Sequence, residues 1–194
     1  MPRSTKDDIL RALYELLRDR PLNEITVKEL VERCGISRQA FYYHFSDLYG
    51  VVDWAMEREV AKLERLQPQQ WWQAMQQIME QLFQSRAVVL NLYRAYERSY
   101  VEYHLRSWLI GPIRVKVEDC AARHAVTPEQ VDFVTELCAM ALANLLLTWM
   151  DRGMNARFTD RLGDFYAILE GSLDYMLERL AQRRAEEFDN NRKV

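Results

Sequence analysis

Residues 38–44 carry side chains whose chemistry suits contact with nucleic acid. An arginine can donate two hydrogen bonds to the acceptors of a guanine, and a glutamine can bond two groups of an adenine. Tyrosine and histidine suit contacts with phosphate oxygens. The candidate contact residues in this segment are Arg38, Gln39, Tyr42, Tyr43 and His44.

Two short helices joined by a tight turn are expected to present these side chains. Thr26 can cap the first helix, with Glu29 as its capping-box partner. Gly35 suits the left-handed conformation that ends a helix, and Ser37 can cap the second helix. This is the helix-turn-helix arrangement, whose second helix enters the major groove. The same helix–glycine–helix pattern is also compatible with an ordinary packed pair of helices.

Residues 35–45, which read Gly-Ile-Ser-Arg-Gln-Ala-Phe-Tyr-Tyr-His-Phe, resemble the signature of the tetracycline-repressor (TetR) family of transcriptional regulators. The whole layout is also similar, since that family joins a three-helix DNA module through a long fourth helix to a helical body. The resemblance implies a core role for Phe41 and Phe45. It also implies a DNA-contacting face made of Thr26, Arg38, Gln39, Tyr42, Tyr43 and His44.

Two features depart from the common pattern of that family. Ser46-Asp47 follows the signature where many members have a lysine that pairs with phosphate, and Val31 stands where a small alanine is common. Residues 44–54 resemble a subgroup found in low-GC Gram-positive bacteria, which includes a regulator of dihydroxyacetone kinase genes. The segment from Leu142 to Met154 is similar to the C-terminal domain of that subgroup.

The composition predicts an all-α chain of about nine helices. The 194 residues are 49% apolar and 28% charged, so the chain can bury a core, and six glycines and five prolines leave little material for the turns of a β architecture. A change of composition near residue 48 divides the chain. We expect a helix-turn-helix DNA-binding domain at 1–48 and a helical effector-binding and dimerisation domain at 49–194.

The body is expected to contain five helices, at 69–85, 86–109, 113–125, 128–152 and 159–187. Gly111-Pro112 is a predicted helix break. Thr127-Pro128 combines an N-cap with proline at the first helical position, and Thr159 is the predicted N-cap of the last helix. Upstream, Thr5 is the predicted N-cap of the first helix of the chain.

The charge pattern excludes a polycation that coats nucleic acid. The chain has 26 basic and 29 acidic residues, a formal net charge of −3, and residues 1–50 hold eight residues of each sign. Few phosphates are therefore expected to be neutralised, and the salt dependence of DNA binding is expected to be modest. Binding then depends on dimer geometry and on a few specific contacts.

The last two predicted helices are apolar on more than one face. Gly163, Ala167 and Gly171 form a row of small residues that lets a second helix approach closely, although tight packing within one chain explains such a row equally well. Together with the family resemblance, the pattern predicts a homodimer through 128–152 and 159–187. Such a dimer places two recognition helices about one DNA turn apart on a palindromic operator.

Nine aromatic residues lie between residues 54 and 108, and four tyrosines among them (Tyr93, Tyr96, Tyr100 and Tyr103) recur at helical spacing. They form either an aromatic core or the lining of a ligand pocket. Because members of the family bind effectors in this region, the resemblance implies a possible small-molecule site. Its candidate residues are Trp54, Tyr93, Tyr96, Tyr100 and Trp108.

No pattern of a catalytic or cofactor-binding site is recognisable, so we predict neither an enzyme nor a cofactor. Cys120 and His124 share a helix face, but a metal site needs further ligands, and core packing explains both residues. The cysteines show no disulfide pattern, no signal peptide is apparent, and the uncharged stretch from Leu137 to Met150 is shorter than the roughly 20 residues of a membrane span. A cytoplasmic protein with no membrane contact is expected.

These observations lead to one principal hypothesis, a homodimeric repressor of nearby genes that a small molecule releases from double-stranded DNA. The alternative is a transcriptional activator of the same fold that a partner protein controls. A third possibility, from a different class, is an all-α enzyme or interaction module. Binding to DNA separates the third possibility from the first two.

Overall fold

The computed structural model describes residues 4–67, 70–155 and 157–191, and this part of the chain is helical without any strand. It contains nine α-helices and a short 3-10 helix at Leu22–Glu24. The α-helices are α1 (Thr5–Leu17), α2 (Val27–Cys34), α3 (Arg38–His44), α4 (Leu48–Glu64), α5 (Trp71–Gln84), α6 (Arg86–Tyr93), α7 (Arg98–Ala121), α8 (Pro128–Asp151) and α9 (Arg157–Asn191). The predicted all-α class is confirmed.

The turn between α2 and α3 forms through local side-chain chemistry. The Thr26 hydroxyl accepts a hydrogen bond from the Glu29 amide at 3.3 Å, and the Glu29 carboxylate accepts one from the Thr26 amide at 3.0 Å. Gly35 ends α2 with φ at +68°, a conformation that costs other residues about 1 kcal/mol. The Ser37 hydroxyl then accepts a hydrogen bond from the Ala40 amide at 3.0 Å, which starts α3.

The predicted break at Gly111-Pro112 is wrong. Helix α7 continues through Pro112, and the chain turns instead at residues 94–97, between α6 and α7. A proline inside a helix removes one backbone hydrogen bond. Here Pro112 is buried beside Leu109 and Ile113 in the core of the body, and this burial favours continuation of the helix.

Two predicted N-caps are also wrong. Ser4, not Thr5, caps α1, since its hydroxyl accepts a hydrogen bond from the Asp7 amide at 3.3 Å. Thr159 lies inside α9, which begins at Arg157 and continues to Asn191, beyond the predicted end near residue 187. No glycine or proline follows Gly171, so nothing in the sequence ends α9 earlier.

Helix α8 begins as the sequence predicts. The Thr127 hydroxyl and the Gln130 side chain form a reciprocal capping box, and Pro128 occupies the first helical position. Within the described residues, α8 is the one helix long and apolar enough to cross a membrane, with a mean hydropathy of 1.6. Half of that stretch is buried inside the protein. A core helix has the same length and composition, so this feature does not indicate a membrane span.

Two apolar cores organise the molecule. The N-terminal core is formed by α1–α4 and also takes in Val88 from α6. The core of the body is formed by α5–α9, with Trp149, Leu173 and Leu177 almost fully buried. Helix α6 therefore reaches the N-terminal core while it belongs to the body, and it packs against α1.

A buried hydrogen bond crosses the junction between α1 and α6. The Asn91 side-chain amide donates to the Leu17 carbonyl at 2.9 Å, and Asn91 is 9% exposed. We expect Asn91→Ala to lower the free energy of unfolding by about 1–3 kcal/mol, because a buried carbonyl loses its partner. Urea denaturation measures this change. Asn23→Ala, in the exposed 3-10 helix, is the control, and equal effects of the two variants would contradict the assignment.

Candidate DNA interface and adjoining cavity

Helix α3 presents one buried anchor and an exposed polar face. Phe41 is fully buried and packs edge-on against the Tyr42 ring at a centroid distance of 5.4 Å. On the other side, Tyr42 is 56% exposed and Tyr43 is 85% exposed. Arg38 and Gln39 are exposed, and His44 is partly buried with its ring 5.0 Å from that of Tyr43. The structure thus brings the five sequence-predicted residues of α3 to one helix.

Thr26 is exposed where α2 begins, and its side chain already has a structural role. Its hydroxyl lies 2.9 Å from a carboxylate oxygen of Glu29, in addition to its contact with the Glu29 amide. Arg20 binds the same carboxylate at 2.6 Å. Hydrogen bonds from Arg20 first, and then from Thr26, lower the pKa of the Glu29 carboxyl to about 2. The start of α2 is therefore held in place by this acid across the physiological pH range.

Most arginines near the N-terminal core are held by acidic partners. Between residues 4 and 50 of the described chain, Lys28 and Arg38 are the basic residues with neither an ion pair nor a cation–π contact. The ion pairs are Arg11–Asp8 at 2.8 Å, Arg20–Glu29 at 2.6 Å, Arg33–Glu15 at 3.4 Å and Arg58–Asp7 at 2.5 Å. Few cations of this module are thus available to phosphates.

A cavity of about 160 Å³ lies in the body beside the N-terminal core. Four residues that the sequence analysis named as ligand candidates line it: Tyr93, Tyr96, Tyr100 and Trp108. Helix α4 adds Val52, Asp53 and Met56, and α8 adds Trp149 and Met150. Sequence reasoning missed these five residues. The absence of charge along residues 137–150 marked α8 as buried but gave no sign of a cavity.

The structure does not bring Trp54 to this cavity. Its ring packs against Phe45 at a centroid distance of 5.8 Å, with Lys6 and Arg58 stacked against it at 5.4 and 4.7 Å. Residues 53 and 54 are adjacent on α4 and point to different sides of the helix, so Asp53 lines the cavity in its place. Trp54 instead joins α4 to the helix-turn-helix module.

A row of aromatic rings runs along one side of the cavity. Tyr96 and Tyr100 stack with centroids 4.9 Å apart, and His104 lies 4.1 Å from Tyr100 and 5.5 Å from Trp108. The sequence analysis placed these residues on one helix with Tyr93. In the structure the turn at 94–97 separates α6 from α7, so Tyr93 reaches the cavity from α6 and the other rings reach it from the turn and from α7. This turn therefore shapes the cavity wall.

Burial affects two polar residues at the cavity, the buried hydroxyl of Tyr96 and the partly buried Asp53. The Tyr96 hydroxyl is buried without a hydrogen-bond partner, and burial, then the nearby Asp53 carboxylate, raise the pKa of Tyr96. Burial also raises the pKa of Asp53, while the neighbouring His104 opposes that rise. Nearly the whole surface of the cavity wall nevertheless consists of apolar atoms.

Helices α4 and α6 connect the cavity with the N-terminal core. On α4, Leu48 and Val51 belong to the N-terminal core while Val52 lines the cavity. On α6, Val88 lies in the N-terminal core while Val89 faces the cavity. The same two helices therefore contact both the cavity and the N-terminal core.

Helices α8 and α9 carry an exposed apolar face. Its exposed side chains are Phe133, Leu137 and Met140 on α8 and Ile168 and Tyr175 on α9. A Cβ atom added to Gly163 or Gly171 would meet no other atom within 4 Å, and Ala167 between them is exposed. The row of small residues therefore does not serve packing within the described part of this chain.

Cys120 and His124, considered as metal ligands in the sequence analysis, have other roles in the structure. The His124 imidazole lies 2.9 Å from the Asp174 carboxylate, and Cys120 is buried in the core of the body. Across the described residues, no group of three histidine, cysteine, aspartate or glutamate side chains is arranged to hold a metal ion.

Comparison with known proteins gives two family matches. Residues 9–50 match the model of bacterial regulatory proteins of the tetR family. Residues 69–160 match the model of a transcriptional regulator C-terminal region, and the two matches together span more than half of the chain. The chain belongs to the TetR family. It is a transcriptional regulator with a DNA-binding domain, and the matches do not point to an enzyme.

Two individual proteins are similar to this chain. The uncharacterized HTH-type transcriptional regulator YxbF of Bacillus subtilis is 33% identical over 57 residues, which are 29% of this chain and 15% of that protein. The solved structure of the dihydroxyacetone kinase operon activator DhaS has a TM-score of 0.73, covering 88% of this chain and 97% of that chain at 15% identity. At this identity, the likeness to DhaS shows a shared TetR fold.

The segment that departs from the common TetR pattern has a clear structural role. Asp47 is the N-cap of α4, since its carboxylate accepts a hydrogen bond from the Gly50 amide at 2.8 Å. The segment after the signature thus starts the helix that leads from the DNA-binding module to the cavity. An acidic side chain at a helix N-terminus is stabilised by the helix dipole.

Proposed function

We propose that the protein is a homodimeric, sequence-specific repressor that acts in the cytoplasm and that a small molecule releases from its operator. The proposal rests on how three regions of the molecule are connected. The exposed face of α3, the cavity and the apolar face of α8 and α9 lie on one series of packed helices. Helices α4 and α6 contribute residues both to the N-terminal core that carries α3 and to the cavity.

The DNA contacts are proposed on the exposed face of the helix-turn-helix module. Arg38 and Gln39 lie at the start of α3, the end of a recognition helix that meets base edges in the major groove. Both are exposed, and Arg38 has no acidic partner among the described residues. Thr26, Tyr42, Tyr43 and His44 flank them and suit phosphate contacts that fix the position of the helix on the duplex.

The homodimer is proposed through α8 and α9. An exposed apolar face on two neighbouring helices is a surface that a soluble protein normally covers. A second copy of the same chain supplies a complementary face by two-fold symmetry, which gives a four-helix bundle. Gly163 and Gly171 have open space above them, so a partner helix can approach the α9 backbone closely.

Release follows from the linkage between cavity and DNA-binding module. Two recognition helices fit successive major grooves only at one separation. A ligand between α4, α6 and α7 favours one arrangement of these helices, and it weakens DNA binding if that arrangement has a different separation. The proposed ligand-contacting residues are Tyr93, Tyr96, Tyr100 and Trp108, without Trp54.

Titration of the purified protein against the DNA beside its own gene tests this proposal. We expect nanomolar binding, with a scrambled duplex bound at least about a thousandfold more weakly at physiological salt. Because Lys28 and Arg38 are the basic residues between residues 4 and 50 with neither an ion pair nor a cation–π contact, the slope of log K against log salt should be no steeper than about −4 for a dimer. A slope near zero, or equal affinity for both duplexes, would contradict a specific dimeric regulator.

A second candidate is a transcriptional activator controlled by a partner protein. The observation that favours it is the fold shared with DhaS, which is named as an operon activator. Both candidates bind DNA, so transcription in vitro from the operator-bearing promoter separates them. Lower transcript yield on addition of the protein supports the repressor, and higher yield supports the activator.

A further inference from the structure

The walls of the cavity indicate the class of molecule that it holds. This inference rests on the proposed function, in which the cavity is the effector site. Asp53 and His104 are among its lining residues, yet almost none of the wall surface comes from their polar atoms or from the tyrosine hydroxyls. A polar or charged ligand would lose its water without finding partners on such a wall, and that loss is costly.

The volume of the cavity suits a small molecule. The cavity measures about 160 Å³. An engineered apolar cavity of about 150 Å³ in another protein stays free of water and binds benzene. The present cavity therefore suits a single ring with a short substituent.

The side chains of the wall favour an aromatic ring over an aliphatic one. Tyr96, Tyr100 and Trp108 offer ring faces and edges, and aromatic pairs gain from offset or edge-to-face contact at centroid distances of 4.5–7 Å. Met56 and Met150 add polarisable sulfur atoms, which also make favourable contacts with rings. Methionine side chains adapt to small differences in ligand shape.

We propose that the cavity binds a small, uncharged aromatic molecule of about seven to ten non-hydrogen atoms. Toluene and N-methylpyridinium form the test pair, because the two probes have nearly the same shape and differ by one positive charge. Isothermal titration of the purified protein should give a Kd of about 0.1–1 mM for toluene. N-methylpyridinium should bind at least tenfold more weakly, and so should methylcyclohexane, which lacks the aromatic ring.

A matched pair of variants locates the binding site. Val101→Phe adds a ring to a residue that lines the cavity, and Val115→Phe makes the same change on the same helix outside it. We expect the first variant to weaken toluene binding at least tenfold and the second to leave it within a factor of about two. Thermal melting establishes that both variants fold. If Val101→Phe does not fold, the comparison of the three probes on the unaltered protein still tests which class of ligand the cavity binds.

Several results would overturn the inference. Binding of N-methylpyridinium as tight as that of toluene would show that a nearby carboxylate such as Asp53 recognises a cation. Absence of toluene binding up to its solubility limit, or unchanged binding by Val101→Phe, would equally reject the assignment. The effect of toluene on operator binding is measured separately. Toluene binding without release of DNA supports the ligand class and counts against the effector role in the proposed function.

Discussion

Ile168→Glu is expected to convert the proposed dimer into a monomer of 23.1 kDa. Ile168 is 68% exposed on α9 in the single chain and lies on the face that we assign to the partner. Two-fold symmetry places the new carboxylate in the interface twice, and each buried, unpaired charge costs several kcal/mol. Multi-angle light scattering at micromolar concentration measures the mass.

Loss of the dimer should also remove operator binding. A monomer contacts one half-site with a few side chains, and the two cations between residues 4 and 50 with neither an ion pair nor a cation–π contact give little non-specific affinity. We therefore expect at least a hundredfold rise in the operator Kd, measured by fluorescence anisotropy. The control is Tyr103→Glu, which adds the same charge at a tyrosine that is 59% exposed on α7. A dimeric Ile168→Glu protein would show that α8 and α9 do not form the interface.

Sequence reasoning succeeded where structure depends on chemistry within a few residues. The capping boxes at Thr26 and Thr127 each join a side chain to a backbone amide three residues away, so they are readable in the sequence. The break assigned to Pro112 failed for the opposite reason. Local preference opposes a proline inside a helix, but packing of that turn of α7 in the core outweighs it.

The cavity could be predicted only in part from the sequence. The spacing of the tyrosines predicted a shared face, and Tyr93, Tyr96 and Tyr100 do line one cavity, although a turn separates their helices. Asp53 and Trp54 are neighbours with opposite placements, and choosing between them requires the rotation of α4 about its axis. Tertiary packing sets that rotation, and no local signal encodes it.

The sequence also did not show which surface the small residues of α9 face. Spacing shows that Gly163 and Gly171 share one side of α9, but it does not show whether that side meets the chain's own core. The structure leaves open space at both positions. Close packing inside the described chain therefore does not explain these small residues, and the open space above them supports the proposed approach of a partner helix.

Arg38→Ala and Tyr42→Ala are expected to weaken operator binding by different routes. A bidentate arginine contributes about 1–3 kcal/mol of base discrimination, so a dimer that loses two such contacts should bind its operator more than tenfold more weakly. Arg38→Ala should also lose preference at one base position of each half-site. Tyr42→Ala should weaken binding to operator and scrambled DNA by similar factors, because a phosphate contact carries no sequence information.

Surface-matched variants separate these effects from damage to the fold. Arg106 is exposed on α7, and Tyr103 on the same helix is 59% exposed against 56% for Tyr42. Arg106→Ala and Tyr103→Ala should leave the operator Kd within a factor of about two, and all four proteins should keep the dimer mass and melting temperature of the unaltered chain. Binding titrations over single-base operator variants give the discriminating result. If Arg38→Ala reduces affinity equally for every operator variant, Arg38 contacts phosphate and base reading belongs to another residue of α3.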